Sequence, residues 1–199
     1  MKKLSDYQAI IVDLDGTLYY QKPVRAAIFK EMVLHFWRLQ DFLIVYRYRK
    51  MYEQGLNEHE RFAKLPERAP EVVKEWMILR PLRYLSKYRD SILIGLLRQV
   101  GSIYGTVIVY SDYPVKEKLC ALQYVPDQAY TASDVKCLKP NATGFLRLLD
   151  SQGIDPHKCL VIGDREEKDG LLAANLGAEV IILPAKQAKR KELYNHLLV

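Results

Sequence analysis

The chain has 199 residues, 49% hydrophobic and 27% charged, enough for one sizeable domain with an inserted subdomain and ordinary for a globular protein. Its formal charge of +6 is unevenly placed: residues 19–88 carry 14 Lys/Arg against 8 Asp/Glu, so the whole excess lies in that segment. No apolar run reaches the ~20 residues of a membrane span, no apolar segment of secretory type follows Lys2 and Lys3, and Cys120, Cys137 and Cys159 are odd in number without paired ligand spacing; the expectation is a cytoplasmic protein without membrane partner, disulfide framework or zinc site.

Residues 9–12 (Ala-Ile-Ile-Val) are uninterrupted apolar residues of the kind found in a buried parallel strand. Directly behind them stands Asp13-Leu14-Asp15-Gly16-Thr17. Alternate side chains of an extended chain share a face, so Asp13 and Asp15 project together while Leu14 turns back toward the core. Gly16 allows a sharp turn out of the strand. Two like charges this close are costly unless a cation lies between them or one carries a proton. A calcium loop beginning at Asp13 would need Gly and Glu where this chain has Leu18 and Val24.

Residues 19–88 have little Gly and much helical periodicity. Ile28, Met32, Val33, Phe36 and Trp37 recur at helical spacing, as do Val72, Val73, Trp76 and Met77. With Pro66, Pro70 and Pro81 as punctuation, three or four helices and no strand are expected, with both tryptophans in the helical core. Strand–helix alternation then resumes. Helices are expected over residues 89–101, 114–122, 141–151 and 169–176, and strands over 106–110, 129–132, 159–162 and 179–183. This pattern predicts an α/β fold, a Rossmann-like parallel sheet core with helices on both faces. The connection between the first two strands, about 90 residues, far exceeds a crossover and predicts an inserted α-helical cap subdomain. The expected division is a catalytic core of residues 1–18 and 89–199 and a helical cap of residues 19–88.

If the strands lie parallel, the residues just beyond their ends form one rim. That rim collects Asp13, Asp15, Ser111, Lys139, Asp164 and Asp169. Four carboxylates with one ammonium and one hydroxyl suit a hard cation beside a phosphate. Oxygen donors without a His or Cys cluster favour Mg²⁺ over zinc. Taken singly, Ser111 could cap a helix, Lys139 could be a solvated lysine and Gly163-Asp164 could be a capped turn. Their shared order raises the joint reading.

In these motifs the chain resembles the haloacid dehalogenase superfamily of phosphohydrolases. The first motif corresponds to Asp13, Asp15, Gly16 and Thr17, the second to Ser111, the third to Lys139, and the fourth to Gly163-Asp164 with Asp169. The insert falls where members with a helical cap after the first motif carry theirs. The resemblance implies that Asp13 is the nucleophile, forming an aspartyl-phosphate. Asp15 would protonate the leaving alcohol and then activate the hydrolytic water. Asp13, the backbone carbonyl of Asp15, and Asp164 would hold Mg²⁺, with Asp169 either touching the ion or holding one of its ligands. Ser111 and Lys139 would bind the phosphoryl oxygens, aided by amides of the Leu14-to-Gly16 turn. The family's dehalogenases lack an acid like Asp15, so its presence favours phosphate chemistry. The insert is expected to close over the rim and limit substrates to small phosphate esters.

Two other functions fit parts of this pattern. A phosphomutase would use the same aspartyl-phosphate and return the phosphoryl group to a bound sugar. A non-catalytic protein would use the basic insert to hold RNA or an acidic partner. Segments 46–50 (Tyr-Arg-Tyr-Arg-Lys) and 80–84 (Arg-Pro-Leu-Arg-Tyr) interleave bases with aromatics as nucleic-acid surfaces do. A solvated basic helix face with inward tyrosines accounts for them more simply, so nucleic acid is not the expected partner.

Overall fold

The computed structural model describes residues 4–103 and 105–197. In chain order its elements begin with β1 (Ala9–Val12), α1 (Gln21–Leu34), α2 (Leu39–Glu53), α3 (Glu58–Ala63), α4 (Ala69–Val73) and α5 (Arg80–Tyr88). They continue with α6 (Ser91–Ile103), β2 (Thr106–Ser111), α7 (Lys116–Ala121), β3 (Gln128–Thr131), α8 (Ala132–Val135) and α9 (Thr143–Ser151). The last are β4 (Cys159–Gly163), α10 (Leu171–Leu176), β5 (Glu179–Ile182) and α11 (Gln187–Leu197). Two compact units result, Met1–Lys22 with Tyr88–Val199, and Pro23–Lys87.

The first unit is built on a five-stranded parallel sheet in the order β3-β2-β1-β4-β5. The strand read from its unbroken apolar run, β1, lies at the centre and is buried throughout. Its neighbours β2 and β4 are buried almost throughout, and the more exposed β3 and β5 take the edges. Helices supply the rest of the core: Phe145 and Leu149 of α9 pack with Leu172 of α10 against Ile11, Ile108 and Val161. The Phe145 ring stacks on Tyr110 with centroids 4.6 Å apart.

Register then fixes where the chain leaves the sheet. Val12 pairs with Val109 on one side and Ile162 on the other, so three loops leave the central strands at the same level. The loop after β1 is fastened from behind by α11, an element the sequence pattern did not suggest. Buried Arg190 donates to the carbonyls of Gly16, Thr17 (3.0 Å) and Pro184 (2.7 Å), and pairs with Asp90 at 3.2 Å. Asp90 also accepts the Tyr194 hydroxyl at 2.8 Å and the Leu93 amide at 3.2 Å, which caps α6.

Other departures from expectation have local causes. Helix α6 continues two residues past Gly101, which lies against the Asp127 carboxylate rather than ending the helix. A short α8 starts at a capping box in which the Thr131 hydroxyl accepts the Asp134 amide and the Asp134 carboxylate accepts the Thr131 amide. Asp169, expected at the start of a helix, sits in a wide turn spanning Glu166–Gly170 that precedes α10.

The second unit is helical. Its core gathers Met32, Ile44, Tyr48, Val72 and Trp76. Trp76 is buried, with the Arg80 guanidinium 4.1 Å from its ring centroid and its Nε1 donating to Asp41. Trp37, in contrast, is 65% exposed, which corrects its expected place in the core. Pro81 does not end a helix either: a wide turn over Lys74–Leu79 joins α4 to α5. Proline has no N–H to give and crowds the carbonyl four residues back, which accounts for the opened turn before it.

Truncating Arg190 strands the buried Asp90 carboxylate. Arg190→Ala is expected to destabilise the fold by about 3–5 kcal/mol, measured by urea denaturation against wild type.

Candidate active site

The acids converge because their strands end together. Asp13 leaves β1 with its amide bonded to the Ile162 carbonyl at 2.9 Å, and Gly163 closes β4 beside it. Two close approaches need glycine. A Cβ on Gly163 would lie 2.3 Å from Asp169, and one on Gly16, whose φ is +97°, would lie 2.1 Å from Asp164 Oδ2. Both glycines bring a carboxylate up against the backbone of the rim.

Lys139 ties the cluster together. Its buried Nζ donates to Asp13 Oδ1 at 2.7 Å and to Asp169 Oδ1 at 2.8 Å. Asp169 Oδ2 accepts the amides of Asp164 and Arg165, both at 3.2 Å. Thr17 Oγ1 donates to Asp13 Oδ2 at 3.3 Å. Burial pushes the Asp13 carboxyl up; Lys139 opposes that shift, Asp169 and Asp15 add to it, and the balance lies at about 7. Burial, then Asp169, also raises Asp164. Burial alone would lower Lys139, but Asp13 and Asp169 outweigh it and hold the ammonium well above its ordinary range.

Asp15 occupies a separate environment. Lys118 of α7 holds both its oxygens, at 2.6 and 2.7 Å, and the Tyr19 hydroxyl donates at 2.5 Å. Burial raises the Asp15 carboxyl, yet Lys118 and Tyr19 together hold it below the usual range. The protein charges alone therefore set the two acids in the reverse of the expected order, with Asp13 the harder to ionise.

Asp13, Asp164 and Asp169 each offer an oxygen within 4.8 Å of the others. Asp164 Oδ1 is buried without a hydrogen-bond partner, its nearest cation being Arg165 Nε at 3.9 Å. An orphaned carboxylate oxygen among three acids fits a divalent cation, and the all-oxygen donor set fits a hard one. The same charge would favour ionised Asp13. The Asp15 side chain is not part of this group. Ser111 is buried at the end of β2, where its Oγ accepts the Tyr113 amide at 3.2 Å; a hydroxyl that accepts in this way keeps its proton to donate. Leu14 is fully buried, and its carbonyl accepts the Leu18 amide at 3.1 Å, which curls the loop around Asp15.

Sequence reasoning missed several members. Asp112 accepts the Lys139 amide at 3.0 Å and Lys168 Nζ at 2.6 Å, so it positions the third motif from beside the second. It adjoins Ser111, and that adjacency was its only signal. Lys118 lies 103 residues from Asp15 on a helix with nothing to mark its target. Arg190 likewise acts through the fold, from the helix that no sequence signal announced.

Residues 7–177 match the family model of the haloacid dehalogenase-like hydrolases. With the parallel sheet and acidic rim described above, the chain belongs to that hydrolase family. No curated protein sequence matches the chain. Among solved structures, the HAD-hydrolase YfnB from Bacillus subtilis, bound to magnesium, is 14% identical over 100% of both chains with a TM-score of 0.61. A hydrolase from Streptococcus pneumoniae is 23% identical over 95% of this chain and 99% of its own, also with a TM-score of 0.61. A β-phosphoglucomutase from Clostridium difficile is 17% identical over 96% and 99%, with a TM-score of 0.58. At these identities the likeness is one of fold.

A cation held among these acids by Asp13 and Asp164 should stabilise the folded state. At about 100 times its Kd, MgCl2 is expected to add ~2.7 kcal/mol and raise Tm by roughly 5–10 °C. Asp164→Ala should remove that rise in a thermal melt while Asp15→Asn retains most of it.

Proposed function

We propose that the protein is a Mg²⁺-dependent phosphatase that hydrolyses a small phosphorylated metabolite through an aspartyl-phosphate on Asp13. The observation that carries this reading is the pair of carboxylates from one strand end in separate surroundings, Asp13 against Lys139 and Asp15 against Lys118 and Tyr19. Asp13 attacks phosphorus, and the bond to the ester oxygen breaks as that oxygen takes a proton from Asp15. Asp15 then accepts a proton from water, which attacks phosphorus and breaks the bond to Asp13, releasing phosphate. Lys139 and the Ser111 hydroxyl balance charge on the phosphoryl oxygens.

Asp13, Asp164 and the Asp15 carbonyl would hold Mg²⁺, which supplies positive charge next to the phosphoryl group. Asp169, both of whose oxygens already take donors, keeps Lys139 and the Asp164 loop in place. Lys118 favours ionised Asp15, so the acid role requires Asp15 to part from Lys118 before it can carry a proton. The presence of Asp15 is what favours an ester oxygen over a halide as the leaving group.

A phosphomutase using the same aspartyl-phosphate is the second reading, supported by the likeness to a β-phosphoglucomutase. Analysis of products from a sugar phosphate separates the two, since a mutase returns an isomer and a phosphatase returns free phosphate. The nucleic-acid alternative has less support. Arg38, Arg68 and Arg80 of the basic insert are committed to Asp41, Glu75 and Glu31.

A screen of phosphate esters with and without MgCl2 tests the proposal. Wild type is expected to release phosphate from at least one ester only with Mg²⁺, and Asp13→Asn to reduce the rate by ~10³-fold or more. Phosphate release that Asp13→Asn leaves intact would refute the nucleophile assignment.

A further inference from the structure

Helix α2 is apolar on two opposite faces. Asp41, Ile44 and Tyr48 are buried within its own unit. Leu39, Phe42, Leu43 and Tyr46, on the far side of the same helix, are 51–58% exposed. At 100° per residue these four fall in one stripe, which Arg47 and Lys50 extend along the same side. Helix α1 adds Phe29 and Val33, exposed beside exposed Lys30. Trp37, between the two helices, is the most exposed of these large side chains.

A helix with apolar side chains on two opposite faces is normally covered on both. The charges around the outer stripe indicate what covers it. Of the carboxylates on α1 and α2, Asp41 is buried and held by Arg38 and Arg68, and Glu31 is held by Arg80 and Tyr84. Glu53, in the last turn of α2, is the exposed acid, against exposed Arg25, Lys30, Arg47 and Lys50. A second copy of so basic a face would bring like charges together, whereas an anionic surface with an apolar interior complements it. The stripe is a row of leucines and aromatics, and Trp37 and Tyr46 carry one polar handle each, as side chains at a lipid interface do.

We infer that the outer face of α1 and α2 is a docking surface for an anionic lipid bilayer, on which this unit lies with its apolar ridge among the acyl chains and its cations at the headgroups. No described helix is long and apolar enough to cross a membrane, so the association is peripheral.

Co-sedimentation of the full chain with phosphatidylcholine vesicles, with and without phosphatidylglycerol, tests this. Binding to the anionic vesicles should exceed binding to the neutral ones by at least about tenfold and fall at high salt. Phe42→Ser/Leu43→Ser should abolish it, and Arg47→Glu/Lys50→Glu should remove the preference for phosphatidylglycerol; circular dichroism checks that each variant is folded, and either variant alone suffices if the other is not. The inference is overturned if wild type binds neither vesicle or if folded variants bind as wild type does. It is equally overturned if wild type is a dimer that Phe42→Ser/Leu43→Ser converts to monomer, because the ridge is then an interface between copies. None of these outcomes depends on phosphatase activity.

Discussion

Lys139 lies with its ammonium 2.7 Å from Asp13 and 2.8 Å from Asp169, and the rest of the rim is arranged around that one buried cation. Three carboxylates meet within 4.8 Å, and buried Lys139 with the more exposed Arg165, 3.9 Å from Asp164, does not balance them. The deficit shows in the raised carboxyls of Asp13 and Asp164 and in the orphaned Asp164 Oδ1. Burying charge without partners is costly, so the cluster is stable to the extent that further positive charge enters it. A divalent cation answers that need and favours the ionised Asp13 that a nucleophile requires.

The fold holds the acids at this spacing by backbone means. Parallel register brings the ends of β1, β2 and β4 level, and Gly16 and Gly163 let Asp164 and Asp169 come closer than any Cβ would allow. Behind the loop, Arg190 binds the carbonyls of Gly16 and Thr17, so the loop that carries Asp15 is fixed to α11 and Asp90. Asp112 does the same for the third motif by taking the Lys139 amide. The loop that carries Asp15 and the backbone of Lys139 are thus each restrained by a second residue, the arrangement through which a site keeps its geometry against like-charge repulsion.

Much of this was legible because it is local. Apolar runs announced β1, β2 and β4, and acids directly after such runs had to fall on one rim once the sheet was parallel. The two edge strands and the order of elements followed from alternation. The partners that act across the fold left no local trace. Lys118 reaches Asp15 over 103 residues, and α11 has too weak an apolar pattern to announce the helix that carries Arg190. Trp37 was misjudged for a related reason: helical spacing shows that a side chain shares a face with other apolar groups, but not whether that face has anything to cover it.

A divalent-cation site formed by Asp13 and Asp164, beside Asp169, is open to direct test by a crystal grown with MnCl2 and an anomalous difference map. A manganese peak bounded by oxygens of Asp13 and Asp164, absent from crystals of Asp164→Ala, is the expected result. A map with no peak among these acids at saturating manganese, or a peak that survives Asp164→Ala unchanged, would contradict it.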